Sequence, residues 1–224
     1  MCGRFARAKA ALDYVVPLMG EQDSRVPVED RPGWNIGPSR RAAVLWPDGT
    51  VLRTLWGYRP RWAASKGLRP MINATSEKWS SAAWKGLWSQ GRVIVPADGW
   101  YEWVTGSDGG KQPYFIRRRD AAPLYLAGLS SASPGREVHE GDGFVLVTAA
   151  SADGMVDVHD RRPVVFDVQG VRAWLEAGLS AEGAAQLAHD AALPVEKFEW
   201  FTVSRAVNRM ENDGPSLIDP VEAL

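Results

Sequence analysis

Short apolar runs, separated by turn residues, predict that most of this chain forms β-strands. Such runs lie at residues 92–96, 100–104, 113–118, 123–129, 143–149, 163–167 and 198–204. Residues 42–58 form two further runs around Pro47-Asp48-Gly49, which predicts a hairpin. Apolar residues at helical spacing predict helices at residues 6–18, 76–88, 168–177 and 180–190. Residues 34–38 and 131–142 are expected to be loops.

The predicted strands outnumber the helices, and short turns connect most of them. This pattern favours an α+β fold over a doubly wound α/β fold. We expect a mainly antiparallel, twisted or barrel-like sheet with peripheral helices. The sequence has no internal repeat and no convincing linker, and its 224 residues suit one large domain. We therefore predict a single domain over residues 1–224.

Composition narrows the classes of function. The net charge of −1 argues against a general polyanion binder, although a local basic groove remains compatible with it. Eleven tryptophans are present, and several adjoin basic residues. Aromatic rings beside cations suit a surface that stacks single-stranded bases, but large aromatic side chains also pack in cores.

The amino-terminal residues lack the apolar segment of a signal peptide, and no stretch approaches the roughly 20 apolar residues of a membrane span. We therefore expect a cytoplasmic protein without membrane contact. A single cysteine excludes an internal disulfide and a thiolate zinc cluster. We expect no metal and no cofactor.

The only cysteine is Cys2, beside the initiator methionine. Chain ends usually fray, whereas free cysteines are usually buried, so a core role is an awkward explanation. If Met1 is removed, Cys2 carries a thiol and a free α-amine on adjacent carbons. That pair is suited to capturing an aldehyde.

Three polar residues interrupt apolar runs elsewhere: Asn73, Glu102 and His159. Taken alone, Asn73 suits a turn or cap, Glu102 a solvent-facing strand position, and His159 a structural hydrogen bond. Spacing alone does not join them to Cys2.

Short motifs along the whole chain resemble the SRAP (SOS-response-associated peptidase) family, whose members shield abasic sites in single-stranded DNA. They are Met1-Cys2-Gly3-Arg4-Phe5, Trp34-Asn35-Ile36-Gly37-Pro38, Trp56-Gly57, Ile72-Asn73-Ala74, Ala97-Asp98-Gly99-Trp100-Tyr101-Glu102-Trp103, Gln112-Pro113-Tyr114-Phe115-Ile116, Val147-Thr148-Ala149-Ala150, His159-Asp160-Arg161-Arg162-Pro163 and Val203-Ser204-Arg205-Ala206-Val207. Each motif is weak alone, but their common order is specific.

The resemblance implies an SRAP fold with an active site of Cys2, Asn73, Glu102 and His159. It also leads us to expect DNA contacts from Arg4, Asn35, Pro38, Trp56, Thr75, Trp103, Arg161, Ser204 and Arg205. Thr75 departs from the family, which usually has an arginine there, so DNA affinity should be somewhat weaker. The implied partners are single-stranded DNA with abasic sites and the replication or repair machinery, and we expect a monomer.

The implied chemistry is covalent. The α-amine of Cys2 would form a Schiff base with the sugar aldehyde, and the thiol would then close a thiazolidine. Glu102 would open the sugar ring, His159 would move protons, and Asn73 would hold the amine. The peptidase name would apply to removal of Met1, by the protein itself or by an aminopeptidase. Strand cleavage from a bare Schiff base would be lyase-like.

Two alternatives come from other classes of protein. An N-terminal-nucleophile glutamine amidotransferase also begins Met-Cys-Gly and uses Cys2 as its nucleophile. In those enzymes the residues after the cysteine usually form an apolar strand, whereas here Arg4 and Arg7 follow the cysteine. A non-catalytic single-strand DNA-binding module built on the tryptophans would bind intact and abasic strands equally.

Overall fold

Two β-sheets, packed face to face, form the centre of the protein. The computed structural model describes residues 2–20, 25, 30–106, 108–151, 155 and 158–222. The first sheet contains β1 (Phe5–Arg7), β2 (Gly33–Ile36), β7 (Gly99–Thr105), β8 (Lys111–Arg118) and β13 (Phe198–Thr202). The second contains β3 (Arg41–Leu45), β4 (Val51–Leu55), β5 (Asn73–Thr75), β6 (Arg92–Ala97), β9 (Leu124–Ser130), β10 (Phe144–Ala150), β11 (Arg161–Pro163) and β12 (Val165–Phe166).

The strand order of the first sheet is β13-β8-β7-β1-β2, and that of the second is β11-β10-β9-β6-β3-β4. Strand β12 pairs with β9, and β5 pairs with β10. Strand β5 runs parallel to β10, whereas the other paired strands run antiparallel. The predicted α+β class with mainly antiparallel pairing is confirmed. Among the described residues neither sheet closes into a barrel, so the barrel-like form is corrected to two open sheets.

The helices are α1 (Ala11–Met19), α2 (Arg61–Ser65), α3 (Lys85–Gln90), α4 (Val168–Leu175) and α5 (Ala181–Asp190). Buried residues of α1, α3, α4 and α5 pack on the face of the second sheet that points away from the first. Helices α4 and α5 begin where Asp167 and Ser180 accept amide hydrogen bonds from the first turn, which satisfies otherwise unpaired N–H groups. Among the described residues, no helix has the length and apolar character that a membrane crossing needs.

The central strands of the second sheet are largely apolar, and both of their faces are buried. In β6, Val93 and Val95 pack into the core between the sheets, and Ile94 packs against the helical layer. Successive strand side chains point to opposite faces, so a continuous apolar run fills two cores. The same alternation decides the environment of β7. Trp100 points into the core between the sheets, and Tyr101 points to the outer face, under the carboxyl-terminal segment.

Three sequence-based boundaries are wrong, and strand pairing explains the first two of them. The predicted helix 6–18 is divided into β1 and α1, because Phe5 pairs with both Trp100 and Ile36. The predicted loop 34–38 overlaps β2 for the same reason. The predicted helix 76–88 contains a 3₁₀ turn at Ser76–Lys78 and reaches α-helical geometry at Lys85. The hairpin at 42–58 is confirmed as β3 and β4.

The amino-terminal strand β1 is fixed at its centre and at its carboxyl-terminal end. Its centre lies between β2 and β7. At its end, the buried Arg7 guanidinium forms two hydrogen bonds with Asp30, of 2.6 and 3.0 Å, and the next residue donates its amide to Asp98. Charged pairs of this kind are strong only when both partners are well hydrogen-bonded, and Arg7 also donates to two backbone carbonyls. The segment that begins with Cys2 is therefore held in one register.

Substitution of Gly99 by alanine tests the packing of β7, which positions β1, against β8. Gly99 pairs with Ala6, and an added Cβ would lie 2.3 Å from Phe115 Cζ and 2.5 Å from the carbonyl oxygen of Ile116. We expect Gly99→Ala to lower the free energy of unfolding by about 1–3 kcal/mol, since overpacking forces backbone shifts. Denaturant unfolding measures this difference.

The matched control is Gly86→Ala in α3. An added Cβ at Gly86 meets no atom within 4 Å, so alanine should stabilise the helix by about 0.5–1 kcal/mol. Equal stability of Gly99→Ala and the wild-type protein would contradict the close approach of β7 and β8.

Candidate active site at the amino terminus

Cys2 lies at the edge of the core between the two sheets, three residues before β1. Pairing of the terminal segment continues beyond the strand, because the Tyr101 amide donates to the Arg4 carbonyl at 2.9 Å. The Cys2 thiol donates to the same carbonyl at 3.7 Å, and the residue is fully buried. Met1 lies outside the described residues. The position of Cys2 thus follows from the register of β1 against β7.

Asn73 contacts Cys2 directly from the second sheet. The carbonyl of the preceding residue, Ile72, accepts hydrogen bonds from the Leu146 amide at 3.1 Å and from Trp56 Nε1 at 2.9 Å. This support aims the Asn73 side chain at the terminus, where Nδ2 donates to the Cys2 carbonyl oxygen at 3.0 Å. Among the described residues no group donates to Asn73 Oδ1, although that atom is buried.

Glu102 lies on the same face of β7 as Trp100, so its carboxyl group is directed into the core between the sheets. The residue is 4 % exposed. Burial raises the pKa of Glu102 to about 7, and the charge of Asp160 adds to that shift, while the positive charge of the amino terminus opposes it. The carboxyl group is therefore divided between its neutral and ionised forms near neutral pH.

The Cys2 thiol is electrostatically coupled to this carboxyl group. Burial raises the pKa of the Cys2 thiol well above its ordinary value, and the charge of Glu102 raises it further. The sulfur is held as a neutral thiol until a base takes its proton.

His159 lies in the segment that leads into β11, and its side chain is half-exposed. Its Nδ1 is 3.0 Å from the Arg161 amide nitrogen and 2.7 Å from Asp160 Oδ1. An unprotonated Nδ1 accepts from the amide, whereas a protonated Nδ1 donates to the carboxylate, so the two contacts belong to different protonation states. Burial lowers the pKa of His159, and the positive charge of the amino terminus lowers it further, which favours the neutral ring. The influence of Asp160 on Glu102 connects this segment with the buried site.

Arg161 is held beside the site by an acidic partner. Its guanidinium forms two hydrogen bonds with the Glu77 carboxylate, at 3.0 and 3.3 Å, and donates to the Thr148 carbonyl at 2.8 Å. Glu77 follows β5, and Thr148 pairs with Thr75 in the parallel ladder between β5 and β10. The predicted DNA-contacting residues Thr75 and Arg161 therefore lie on the two strands that flank β10.

Thr148 is a site residue that sequence reasoning did not single out. It is fully buried, and among the described residues its hydroxyl Oγ1 has no hydrogen-bond partner. Strand β10 places it between Thr75 and Pro163. The signal in the sequence was a hydroxyl that interrupts the apolar run of residues 144–150.

Arg4 packs against the protein rather than extending into solvent. Its guanidinium lies 5.6 Å from the Trp103 ring centroid, and Nη1 donates to Asn35 Oδ1 and to the Val207 carbonyl. Asn35 is itself buried, and its Nδ2 donates to three backbone carbonyls. Trp103 Nε1 donates to Asn208 Oδ1 at 2.7 Å. Arg4, Asn35 and Trp103 thus form one connected surface next to the terminus.

The other predicted DNA-contacting residues surround this surface at various depths. Trp56 is fully buried and supports the segment before Asn73. Pro38 is half-buried in the turn after β2. Ser204 caps the 3₁₀ helix Arg205–Asn208, and Arg205 pairs with Asp108 at 2.6 Å. A DNA contact from any of these residues stays a prediction.

The arrangement joins a thiol, a carboxyl group with a pKa near neutrality and an asparagine with a free acceptor. In the described part of the chain no cluster of three or more histidine, cysteine or acidic side chains could hold a metal ion. The side chains themselves can supply a nucleophile, an acid or base, and a hydrogen-bond acceptor.

Comparisons with known proteins identify the family to which the chain belongs. The sequence model of the family described as SOS response associated peptidase (SRAP) matches residues 1–210. The chain is 37 % identical to the abasic site processing protein YedK of Escherichia coli, over 99 % of this chain and all of that one. It is 26 % identical to the abasic site processing protein HMCES of Gallus gallus, over 86 % of this chain and 67 % of that one.

A solved structure is similar along nearly the whole chain. A phage-related protein of Bordetella bronchiseptica is 37 % identical, with a TM-score of 0.75 over 91 % of this chain and 95 % of that one. The family model and the identity with YedK each extend over most of the sequence. The chain therefore belongs to the SOS response associated peptidase (SRAP) family.

Proposed function

We propose that this protein processes abasic sites in single-stranded DNA by attaching itself to the sugar through Cys2. The observation that carries the proposal is the hydrogen bond from Asn73 Nδ2 to the Cys2 carbonyl, beside a buried Glu102. It holds the chain end, and hence the thiol, against an acid or base with a suitable pKa. The abasic site processing activity in the names of YedK and HMCES supports the choice of substrate.

The reaction uses both nucleophiles of one residue. After hydrolysis of the Met1–Cys2 peptide bond, the Cys2 nitrogen attacks the aldehyde carbon C1′, and water leaves as the imine forms. The sulfur then adds to C1′, and the thiol proton passes to the nitrogen. Nitrogen, Cα, Cβ, sulfur and C1′ form a five-membered thiazolidine. Placing both groups on one residue gives the proximity advantage of an intramolecular reaction.

Asn73 is suited to orient the amine. The sequence-based hypothesis gave its side chain one hydrogen bond, to the α-amine. The structure supports two separate roles for this side chain. Nδ2 fixes the Cys2 carbonyl, and the buried Oδ1 accepts a hydrogen bond from the amine once removal of Met1 has freed that amine. A buried acceptor without a partner is costly, so a new N–H donor at this position is stabilised.

Glu102 is suited to the proton transfers. As a neutral acid it can protonate the ring oxygen of the closed sugar, which releases the aldehyde. As a carboxylate it can take the proton of the thiol, whose raised pKa makes such a base necessary. Neutral His159 is suited to exchange protons with the sugar hydroxyl, and Asp160 stabilises its protonated form.

Capture by sulfur also explains how the strand would be protected. A Schiff base alone allows β-elimination and strand cleavage, and thiazolidine closure competes with that route. Membership in the SRAP family favours this function over a glutamine amidotransferase. Removal of Met1, by the protein itself or by an aminopeptidase, is part of the proposal, since an acylated nitrogen cannot form the imine. Intact-mass measurement of purified protein should show that Met1 is absent.

Replacement of Cys2 by alanine separates the two nucleophiles. Cys2→Ala, with Met1 removed, keeps an α-amine and loses the sulfur. We expect the heat-stable adduct with an abasic single-stranded oligonucleotide to fall to background, because the ring cannot close without the sulfur. Intramolecular closure corresponds to an effective concentration of about 10⁵ M, which a separate thiol cannot match. Some strand nicking should remain. Denaturing gels measure both products.

Reduction with borohydride is the control for folding and amine reactivity. It should trap the variant's imine as a stable secondary amine, so the variant regains a crosslink only when reductant is present. A heat-stable crosslink to Cys2→Ala without reductant would falsify the thiazolidine scheme.

The pH dependence of adduct formation tests the role of Glu102. The rate should rise up to about pH 7 as the amine, with a reference pKa of about 7.7–8.0, loses its proton. It should fall above about pH 7 as Glu102 ionises and ceases to be an acid. Glu102→Gln should be slower by about 100-fold or more and should lack the descending limb. Single-turnover rates between pH 5 and 9 measure this; an unchanged profile would exclude Glu102.

Protein stability gives an independent check on the same pKa. Folding raises the pKa of Glu102 from 4.5 to about 7. The contribution of its neutral carboxyl group to folding stability is therefore complete below pH 4.5 and is lost as pH rises through 7. Glu102→Gln should therefore be more stable than the wild-type protein by about 3 kcal/mol above pH 8 and equally stable below pH 4.5. Urea unfolding at the two pH values measures this difference.

A further inference from the structure

A second feature of the surface is a cleft of about 290 Å³ beside β2, β3 and β4. Four arginines line it: Arg31, Arg40, Arg41 and Arg53. All four are exposed, and they come from three separate segments. We name it the arginine cleft.

The positive charge of the arginine cleft is only partly balanced. Within residues 2–20, 25, 30–106, 108–151, 155 and 158–222, no carboxylate forms an ion pair with any of the four guanidinium groups. Glu211 and Asp213 also line the cleft, and Asp213 already accepts the Trp34 amide at 2.6 Å. Four cations against two carboxylates leave an excess of two positive charges in one cavity, which an anion would stabilise.

The lining identifies the kind of anion. Guanidinium groups bind phosphate through paired N–H donors, and they do so better than ammonium groups do. None of the residues that line the cleft is aromatic, so it offers no surface on which a base could stack. These properties fit the phosphodiester backbone of a nucleic acid strand, bound without regard to sequence.

Two short hydrogen-bonded connections link the cleft to the terminus. Asn35, at the cleft, accepts from Arg4, two residues after Cys2. The Arg40 carbonyl accepts from the Trp56 amide, and Trp56 Nε1 donates to the carbonyl before Asn73. The cleft and the candidate active site are therefore linked through the buried residues Asn35 and Trp56.

We propose that the arginine cleft binds backbone phosphates of the DNA strand that flanks the abasic nucleotide. This inference rests on the proposed function, because it takes the strand to be the one whose sugar reaches Cys2. It assigns the main electrostatic contribution to a region outside the covalent site.

The test compares Arg40→Ala/Arg53→Ala with the wild-type protein. Neither guanidinium makes a hydrogen bond within the described residues, so the double variant should keep its fold. The probes are single-stranded oligonucleotides that carry a tetrahydrofuran residue, an abasic analogue without an aldehyde, with extensions on the 5′ side only or the 3′ side only. Fluorescence anisotropy at several salt concentrations gives affinity and salt slope.

One of the two extended oligonucleotides should bind the wild-type protein more tightly than the other does. The double variant should lose that gain, with about tenfold weaker binding, and the slope of log K against log salt should fall by about 0.7 for each phosphate that is no longer neutralised. The control, Arg172→Ala/Lys197→Ala, removes the same charge from exposed positions on α4 and before β13 and should bind like the wild-type protein. Wild-type affinity and slope in the cleft variant, or equal weakening in the control, would overturn the inference.

Covalent reaction separates this inference from the proposed function. With a short abasic oligonucleotide that lacks both extensions, the cleft variant should form adduct at the wild-type rate. If the wild-type protein forms no adduct, the proposed function fails, while the anisotropy comparison still decides whether the cleft binds the strand.

Discussion

The insertion of the amino-terminal strand between two others is the constraint on which the rest of this structure depends. A terminal segment has no chain on one side to hold it and ordinarily frays. Here β1 is an interior strand, and Arg7 closes it with a buried ion pair to Asp30. The register of β1 against β7 brings Cys2 to the core, where Asn73 holds its carbonyl. The reactive end of the chain is therefore as well positioned as a side chain in the middle of a domain.

The same burial sets the electrostatics of the site. Burial raises the pKa of both the Cys2 thiol and the Glu102 carboxyl group, and the charge of Glu102 raises the pKa of the thiol further. The thiol is therefore held neutral, whereas the carboxyl group is divided between its two forms near neutral pH. A neutral thiol resists unwanted reactions, and a carboxyl group with a pKa of about 7 can supply or remove a proton on demand. This arrangement lowers the folding stability of the protein, since burying Glu102 costs free energy whenever its carboxyl group ionises.

Local sequence patterns predicted the central strands well, because strands such as β6 are buried on both faces and read as apolar runs. They failed at β1 and β2, where pairing with distant residues overrides a weak helical pattern near Ala6 and a turn-like pattern near Pro38. Residue chemistry singled out Cys2, and polar interruptions of apolar runs singled out the other three candidate residues, but only the family resemblance joined the four into one site. Neither the bond from Asn73 to the Cys2 carbonyl nor the arginine cleft could be predicted, since each depends on how distant segments pack.

The central claim is that Cys2 uses both its nitrogen and its sulfur to hold the sugar. Tandem mass spectrometry of the tryptic peptide ending at Arg4, from protein reacted with an abasic oligonucleotide and treated with nuclease, tests it most directly. The account predicts a peptide that begins at Cys2, carries the sugar remnant on that residue, and reacts with neither a thiol-alkylating reagent nor a reagent specific for primary amines. A remnant on a lysine, or an adducted peptide that retains Met1 or a free thiol, would contradict it.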